Sequence, residues 1–380
     1  MNDSILSHHR LSHIQSARQA ALYGEPAANS RDVQPWIVQS WQRCMQQGHR
    51  PSETLAFDVV AAAEQKRHTQ ANYFLASAAQ ETLSRLAAAI AQTRYFAILT
   101  NAQGMVVSSA GAIDRHDRRA TLITRVGVDL SETAVGTTAI GATLAEKHTV
   151  WMHRGEHFYD DTAFYSCAGA PIWGPDGKCA GMLDVTGIDV PERPELAHLV
   201  AQSARRIETA MVVAQPHRLV LQVRWPDPKT SSQHWGQTDA GLICLDAHGA
   251  VVAMSQIARQ MLDHWDLSNL STHANDLFAM DFAQFFDAAQ RADSVLDVPL
   301  WSGLRMQVQC QLASSEPSCL PGTHVRLGND AADTPSPCLK EMETALIRKT
   351  VQDKRGNVAA AAKALGISRA TVYRKLAVRR

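Results

Sequence analysis

Apolar residues recur at helical spacing at the start of the chain and then change period. Pro35-Trp36 opens a helix that carries Trp36, Ile37, Ser40, Trp41 and Cys44 on one face and ends at Gly48. A second helical run covers residues 73–94, with Leu83, Leu86 and Ile90 in one stripe. The rest of residues 1–70 reads as helical and polar. Beyond Arg94 the period shortens. Residues 95–100 and 105–109 predict two strands around a turn at 101–104, a hairpin. A helix over 138–146 follows, then strands over 148–152 and 166–172. The turn Gly174-Pro175-Asp176-Gly177 leads into a strand over 179–186. A closing helix over 195–214 has Leu196, Leu199, Val200, Ser203, Ile207 and Met211 at helical intervals. Helix, antiparallel strands and helix together predict an α+β layout.

After Gln215 the pattern predicts strands over 240–246 and 250–254, a helix over 256–262, and strands over 295–300 and 304–313, with 323–327 as a further strand. Residues 328–337 are polar and contain prolines, as a linker does. The last segment carries a helix with Val358, Ala361, Ala362 and Leu365 on one side. Gly366 stands where the chain leaves the helix, and Ser368 is placed to cap the next one. In that second helix Ala370, Val372 and Tyr373 pack, while Arg369, Thr371, Arg374 and Lys375 form a polar, cationic side. This is the layout of a helix-turn-helix.

Charge sharpens the reading of this segment. The 380 residues hold 37 Lys/Arg and 37 Asp/Glu, but residues 340–380 hold eleven basic residues against three acidic ones. The remainder therefore has 26 basic and 34 acidic residues. A basic module on an acidic body is the footprint of a phosphate-binding domain. Forty-five per cent apolar residues supports ordinary cores. No apolar run approaches the ~20 residues a membrane span needs, and the seven cysteines form no CxxC pair. These features predict a soluble, cytoplasmic chain without a membrane partner.

Residues 339–376 resemble the C-terminal domain of the Fis family, including a preceding helix with Met342, Leu346, Ile347 and Thr350 on one face. The resemblance implies a homodimer that places two recognition helices in double-stranded DNA. By position, Arg369 would read a base edge, a guanidinium matching the paired acceptors of guanine. Ser368, Thr371, Arg374 and Lys375 would mostly hold phosphates. A second resemblance rests on GVDLSETAVGTTAIGATLAEKHTVWMHRGEHF (residues 127–158), SCAGAPIWGPDGKCAGMLDVTG (166–187) and the upstream SWQRCMQQG (40–48). These strings look like the GAF sensor and N-terminal signature of the acetoin-catabolism regulator family. In that family the GAF domain senses small molecules, often alcohols, ketones, aromatics or related catabolites, and the signal differs between members. The opening of the 215–327 region is similar to a PAS domain.

Regulators of that type usually carry an ATPase with a GxxxxGK[ST] loop between the sensor and the helix-turn-helix. Here Gly177-Lys178 has Ile172 in place of the first glycine and Cys179 in place of the hydroxyl residue, so it reads as a hairpin turn. No GAFTGA-like loop is present either, and the expectation is a regulator without ATPase activity. His153-Arg154-Gly155-Glu156-His157 satisfies the zinc-protease pattern H-x-x-E-H. That chemistry needs both histidines on one face of a stable helix, and this segment follows a strand and contains Gly155, which favours a loop. A regulatory metal on His153, His157 and Cys167, pocket-lining roles and purely structural roles stay open as alternatives. Gly136-Thr137-Thr138 could offer a helix start to an anion, or simply be a helix start.

These observations together predict an α+β multidomain chain. The expected segments are an N-terminal helical region (1–70), a GAF domain (71–214), a PAS-like α/β domain (215–327), a linker (328–337) and an all-α C-terminal helix-turn-helix (338–380). The expected activity is that of a non-enzymatic DNA-binding regulator responding to a small-molecule effector. Candidate effector-binding residues are Thr137, Trp151, His157, Phe164, Cys167 and Asp184. No residue is assigned to catalysis, a cofactor or a metal. The alternative is a chain that hetero-oligomerises with a sigma-54-dependent activator and modulates it.

Overall fold

The computed structural model describes residues 2–24, 33–55, 57, 60–226, 240–262, 272–291 and 295–313. The predicted strand over 323–327, the linker and the helix-turn-helix lie outside the described residues. Two five-stranded antiparallel sheets organise the described part, a mixed α/β architecture.

Four helices lead in: α1 (Asn2–Tyr23), α2 (Pro35–Gln46), α3 (Ala62–Ala71) and α4 (Tyr73–Ile90). The first sheet takes β1 (Tyr95–Asn101) and β2 (Val106–Gly111), then passes through α5 (Arg118–Ile123), α6 (Glu132–Val135) and α7 (Ala139–Glu146). It is completed by β3 (Val150–His153), β4 (Tyr165–Trp173) and β5 (Cys179–Ile188), and α8 (Leu196–Val213) follows. Strand order is β2-β1-β5-β4-β3. The helix expected to run to Arg94 stops at Ile90. There the Thr93 hydroxyl donates to the Ile90 carbonyl, 2.7 Å away, and Arg94 takes a left-handed φ of 60° that turns the chain into β1.

Both faces of this sheet are covered, so β1 is buried at every position and reads as a continuous apolar run. One face carries Ala97, Leu99, Ala168, Ala170, Leu183 and Val185, packed against α4 and α8. The alanines of β4 let α8 lie close. The opposite face carries Phe96, Ile98, Cys167 and Met182 beneath α5, α6 and α7. Burying each Leu- or Ile-sized side chain in these layers stabilises the fold by roughly 1.5–3 kcal/mol.

The second sheet comprises β6 (Leu219–Arg224), β7 (Gly241–Leu245) and β8 (Val251–Met254), then β9 (Val295–Pro299) and β10 (Arg305–Leu312). Helices α9 (Gln256–Met261), α10 (Ala274–Leu277) and α11 (Ala283–Ala289) lie between these two groups of strands. The order is β8-β7-β6-β10-β9. The central strand, β6, is absent from the sequence reading. Its Leu219, Leu221 and Val223 alternate into the core with Ile243, Phe278 and Phe285. On the other face, Val220, Leu242, Cys244 and Ala253 meet Val212 near the end of α8. Helix α8 therefore belongs to both sheets.

Candidate effector cavity and its clasp

The cavity lies on the α5–α7 face of the first sheet. Ile98, Ile123, Leu130, Val135, Ile140 and Phe57 supply apolar walls, and Thr138, His157, Thr162, Tyr165, Cys167, Asp184 and Thr186 add polar atoms. Its volume is about 30 Å³, room for roughly two water-sized groups.

A buried polar row crosses β4 and β5 at this wall. The Nδ1 of His157 lies 2.9 Å from the Arg154 carbonyl. A carbonyl only accepts, so Nδ1 bears the proton and Nε2 is left as an acceptor. The Cys167 thiol stands 3.6 Å from that Nε2 and 3.3 Å from the Thr186 hydroxyl. Thr186 in turn donates to Oδ2 of Asp184. The other carboxyl oxygen, Oδ1, is buried without a hydrogen-bond partner. Burial sets the protonation of the row. It lowers the His157 pKa to about 4, pushes the Cys167 thiol well up and raises Asp184 to about 7. The imidazole and the thiol are thus neutral at pH 7.

The segments around the cavity are held from outside by α1 and α2. In α2, Ser40 donates to Glu132 at 2.6 Å and lies 2.8 Å from the Thr137 hydroxyl. The Arg43 guanidinium grips both oxygens of Glu132, at 2.7 and 3.0 Å. The Trp41 indole donates to the Glu156 carbonyl at 2.9 Å, and the Cys44 thiol faces Thr137 at 3.5 Å. Four residues of the string at 40–48 therefore bind the segments that carry Val135, Thr138 and His157. From α1, the buried Arg18 donates to the carbonyls of Gly155, His157 and Phe158 and pairs with Asp160. Arg10 pairs with Glu156, whose carboxyl also accepts the His153 N–H. Ile14, Ala17 and Leu22 share a core with Trp41, Phe158 and Tyr159.

Of the six candidate residues, His157, Cys167 and Asp184 come together at the cavity. The other three sit elsewhere. Thr137 turns toward Ser40 and Cys44, and it is Thr138 that lines the cavity and caps α7. Trp151 points to the α4/α8 face and bonds Glu192 at 3.1 Å. Phe164 packs under Arg119, 4.5 Å from guanidinium carbon to ring centre. Thr186, Tyr165 and Thr138 also line the cavity, although they are not among the six candidates. Period-two spacing from Asp184 and Cys167 reaches the first two.

The H-x-x-E-H residues do not share a helix face. Arg154–Glu156 is a single 3-10 turn. His153 bonds Ser166 at 2.8 Å, and the Glu156 carboxyl is held by Arg10. Among the described residues no group of His, Cys, Asp and Glu is arranged to hold a metal ion.

Residues 12–209, which contain the cavity and all of its clasp except Arg10, match the MimR N-terminal domain family. The chain belongs to that family. Residues 339–377 match the bacterial regulatory protein, Fis family. The acetoin catabolism regulatory protein of Cupriavidus necator is 28% identical over 264 residues, 66% of this chain and 38% of that protein. The acetoin dehydrogenase operon transcriptional activator AcoR of Bacillus subtilis is 29% identical over 177 residues, 45% of this chain and 29% of that protein. The propane 2-monooxygenase operon transcriptional activator MimR of Mycolicibacterium goodii is 25% identical over 254 residues, 66% of this chain and 41% of that protein. The chain thus spans well under half the length of these relatives. Two are named as operon transcriptional activators and the first as a regulatory protein, which agrees with the reading of this chain as a non-enzyme. Among the described residues no helix is long and apolar enough to cross a membrane.

Proposed function

We propose that the chain is a DNA-binding transcription regulator whose cavity holds a small-molecule effector, and that occupancy alters operator affinity without ATP hydrolysis. The observation that carries this reading is the cavity with its orphan Asp184 oxygen, inside the family-matched region of a chain that also bears a Fis-family segment. In this reading the first sheet with α4–α8 is a GAF-type sensor preceded by an N-terminal helical region, and β6–β10 form a PAS-like domain. Residues 338–380 form a dimeric helix-turn-helix in which Ser368, Arg369, Thr371, Arg374 and Lys375 face double-stranded DNA.

A route for the signal follows from strand alternation. Cys167 and Asp184 face the cavity, whereas their neighbours Ala168 and Val185 face α8. Helix α8 then packs against the second sheet through Val212. An effector acts along this path only if it binds one arrangement of these layers more tightly than the other.

The test is equilibrium binding of the purified chain to genomic duplex fragments as salt is varied, with and without candidate metabolites. The expected result is affinity that falls steeply with salt and changes with one metabolite. Absence of salt-sensitive binding under every condition would overturn the reading. Weak DNA binding together with co-purification of a sigma-54-dependent activator would instead support a modulating partner.

A further inference from the structure

We infer that the turn between β4 and β5 is a joint that passes movement of the first sheet to the second, beside the contact made by α8. It holds whether or not the cavity takes an effector. The joint is built on one carbonyl. The Pro175 oxygen accepts the Met254 N–H at the end of β8, 3.2 Å away, and the Arg259 guanidinium of α9 at 2.8 Å. Both donors belong to the second sheet and its helix, whereas Pro175 belongs to the first. Gly177 makes the seat possible. Its φ of 80° is left-handed, and a Cβ there would stand 2.8 to 3.1 Å from the guanidinium atoms. In the same turn the Asp176 carboxylate offsets part of the burial that lowers the Arg259 pKa.

Each side of the joint is stiff. Strands β4 and β5 pair along their length, from Tyr165 with Ile188 to Trp173 with Cys179, with one register shift just before the turn. The strands that carry Cys167 and Asp184 therefore run directly into it. Within the turn, the Gly174 N–H donates to the Lys178 carbonyl at 2.7 Å, and the Lys178 N–H to Asp176 at 3.1 Å. On the receiving side Ser255 follows Met254. Its N–H donates to the Leu242 carbonyl, and its hydroxyl oxygen accepts the N–H groups of Leu242 and Ala258, 2.9 and 3.3 Å away. Met254 is thereby tied to β7 and to the start of α9. A tilt of the hairpin moves the Pro175 carbonyl, and the second sheet either follows or loses both bonds together. Packed layers joined in this way switch between arrangements rather than deform continuously.

The test is a double-mutant cycle on the full chain, read by the hydrogen-exchange rate of the Met254 amide in NMR spectra. Thr186→Val perturbs β5 at the cavity, where it removes the hydroxyl bonded to Asp184. Arg259→Met takes the guanidinium out of the joint. Thr186→Val alone is expected to change Met254 exchange by about threefold or more, and in the Arg259→Met background that change should nearly vanish. If the first variant does not fold, Cys167→Ala, opposite Thr186 in the register, replaces it. If the second does not fold, Gly177→Ala replaces it, since the added Cβ displaces the guanidinium. A Met254 response that persists once the joint is broken would assign the coupling to α8 and overturn the inference. An unchanged Met254 rate after the substitution at the cavity overturns it as well.

Discussion

The guanidinium of Arg18 donates to the backbone carbonyl of His157, 2.5 Å away, while the imidazole of the same residue faces the cavity. A helix at the start of the chain thus fixes a wall of a site built some 140 residues later. Arg18 is itself buried and serves two further carbonyls, those of Gly155 and Phe158. Replacing it removes a donor from several enclosed acceptors at once. Arg18→Met keeps the aliphatic bulk and should cost about 2–4 kcal/mol in unfolding free energy, read from denaturant midpoints. Limited proteolysis should release α1 first in this variant.

The clasp from α2 gives a second expectation. Trp41→Phe keeps most of the buried ring but leaves the Glu156 carbonyl without its indole donor. The expected loss is about 1–3 kcal/mol. Ser40→Ala removes the hydroxyl shared with Glu132 and Thr137, beside the Arg43 grip on Glu132, and should cost a similar amount. Because the two residues act on different segments around one cavity, a double-mutant cycle should show whether the segments move together. A coupling near zero would mean that they do not.

Gly169 opposes Asp184 across β4 and β5 and lets α7 lie directly on the sheet. A Cβ there would collide with the Thr143 hydroxyl and the Met182 methyl group and would approach the Ala139 carbonyl to 3.1 Å. Gly169→Ala should therefore lift α7, destabilise the domain by about 1–3 kcal/mol and weaken binding of any cavity probe. Calorimetry and a ligand titration would check both effects. An unchanged melting temperature would mean that α7 yields without cost.

Much of this arrangement was legible from the sequence, and the exceptions have physical causes. The buried face of α2, the β1–β2 hairpin, β4, β5 and α8 announce themselves by period, because each buries one stripe or one side. Strand β6 does not stand out, since six residues directly after a helix resemble its tail, although Leu219, Leu221 and Val223 alternate as an inward-facing strand should. The aromatic residues around 151–173 look like one cluster in the sequence. Pairing of Met152 with Cys167 puts Trp151 on the opposite face from the cavity, and that register is not written in the local pattern. Contacts such as Ser40 with Glu132 join segments 92 positions apart, where no spacing rule reaches.

Glu208 on α8 offers a clean pH signature. It is only 5% exposed, accepts the Trp173 N–H at 2.9 Å, and burial raises its pKa from 4.5 to about 7. A carboxyl with a raised folded value favours folding below its unfolded pKa, and that contribution is lost as pH rises through the folded value. Glu208→Gln mimics the neutral form at all pH values. The variant should match wild type near pH 4, gain on it between about 4.5 and 7, and exceed it by on the order of 1–3 kcal/mol above pH 7. Comparing the pair cancels His153 and His157, whose lowered values act in the opposite direction. A stability difference that does not vary with pH would show that Glu208 titrates normally.

The proposed DNA contacts separate into two behaviours. Arg369, within the Fis-matched segment, is proposed to read a base edge. Arg369→Ala should cost about 1–3 kcal/mol on the preferred operator and relax discrimination at one base pair in each half-site. Lys375, assigned a phosphate, should behave differently. Lys375→Ala is expected to weaken binding to all duplexes alike and to reduce the slope of log affinity against log salt by about one. Titrations of both variants against operator and scrambled duplexes, at two or more salt concentrations, measure these quantities. If the two variants lose affinity in the same proportion on every sequence, Arg369 reads no base and the recognition helix must be oriented differently.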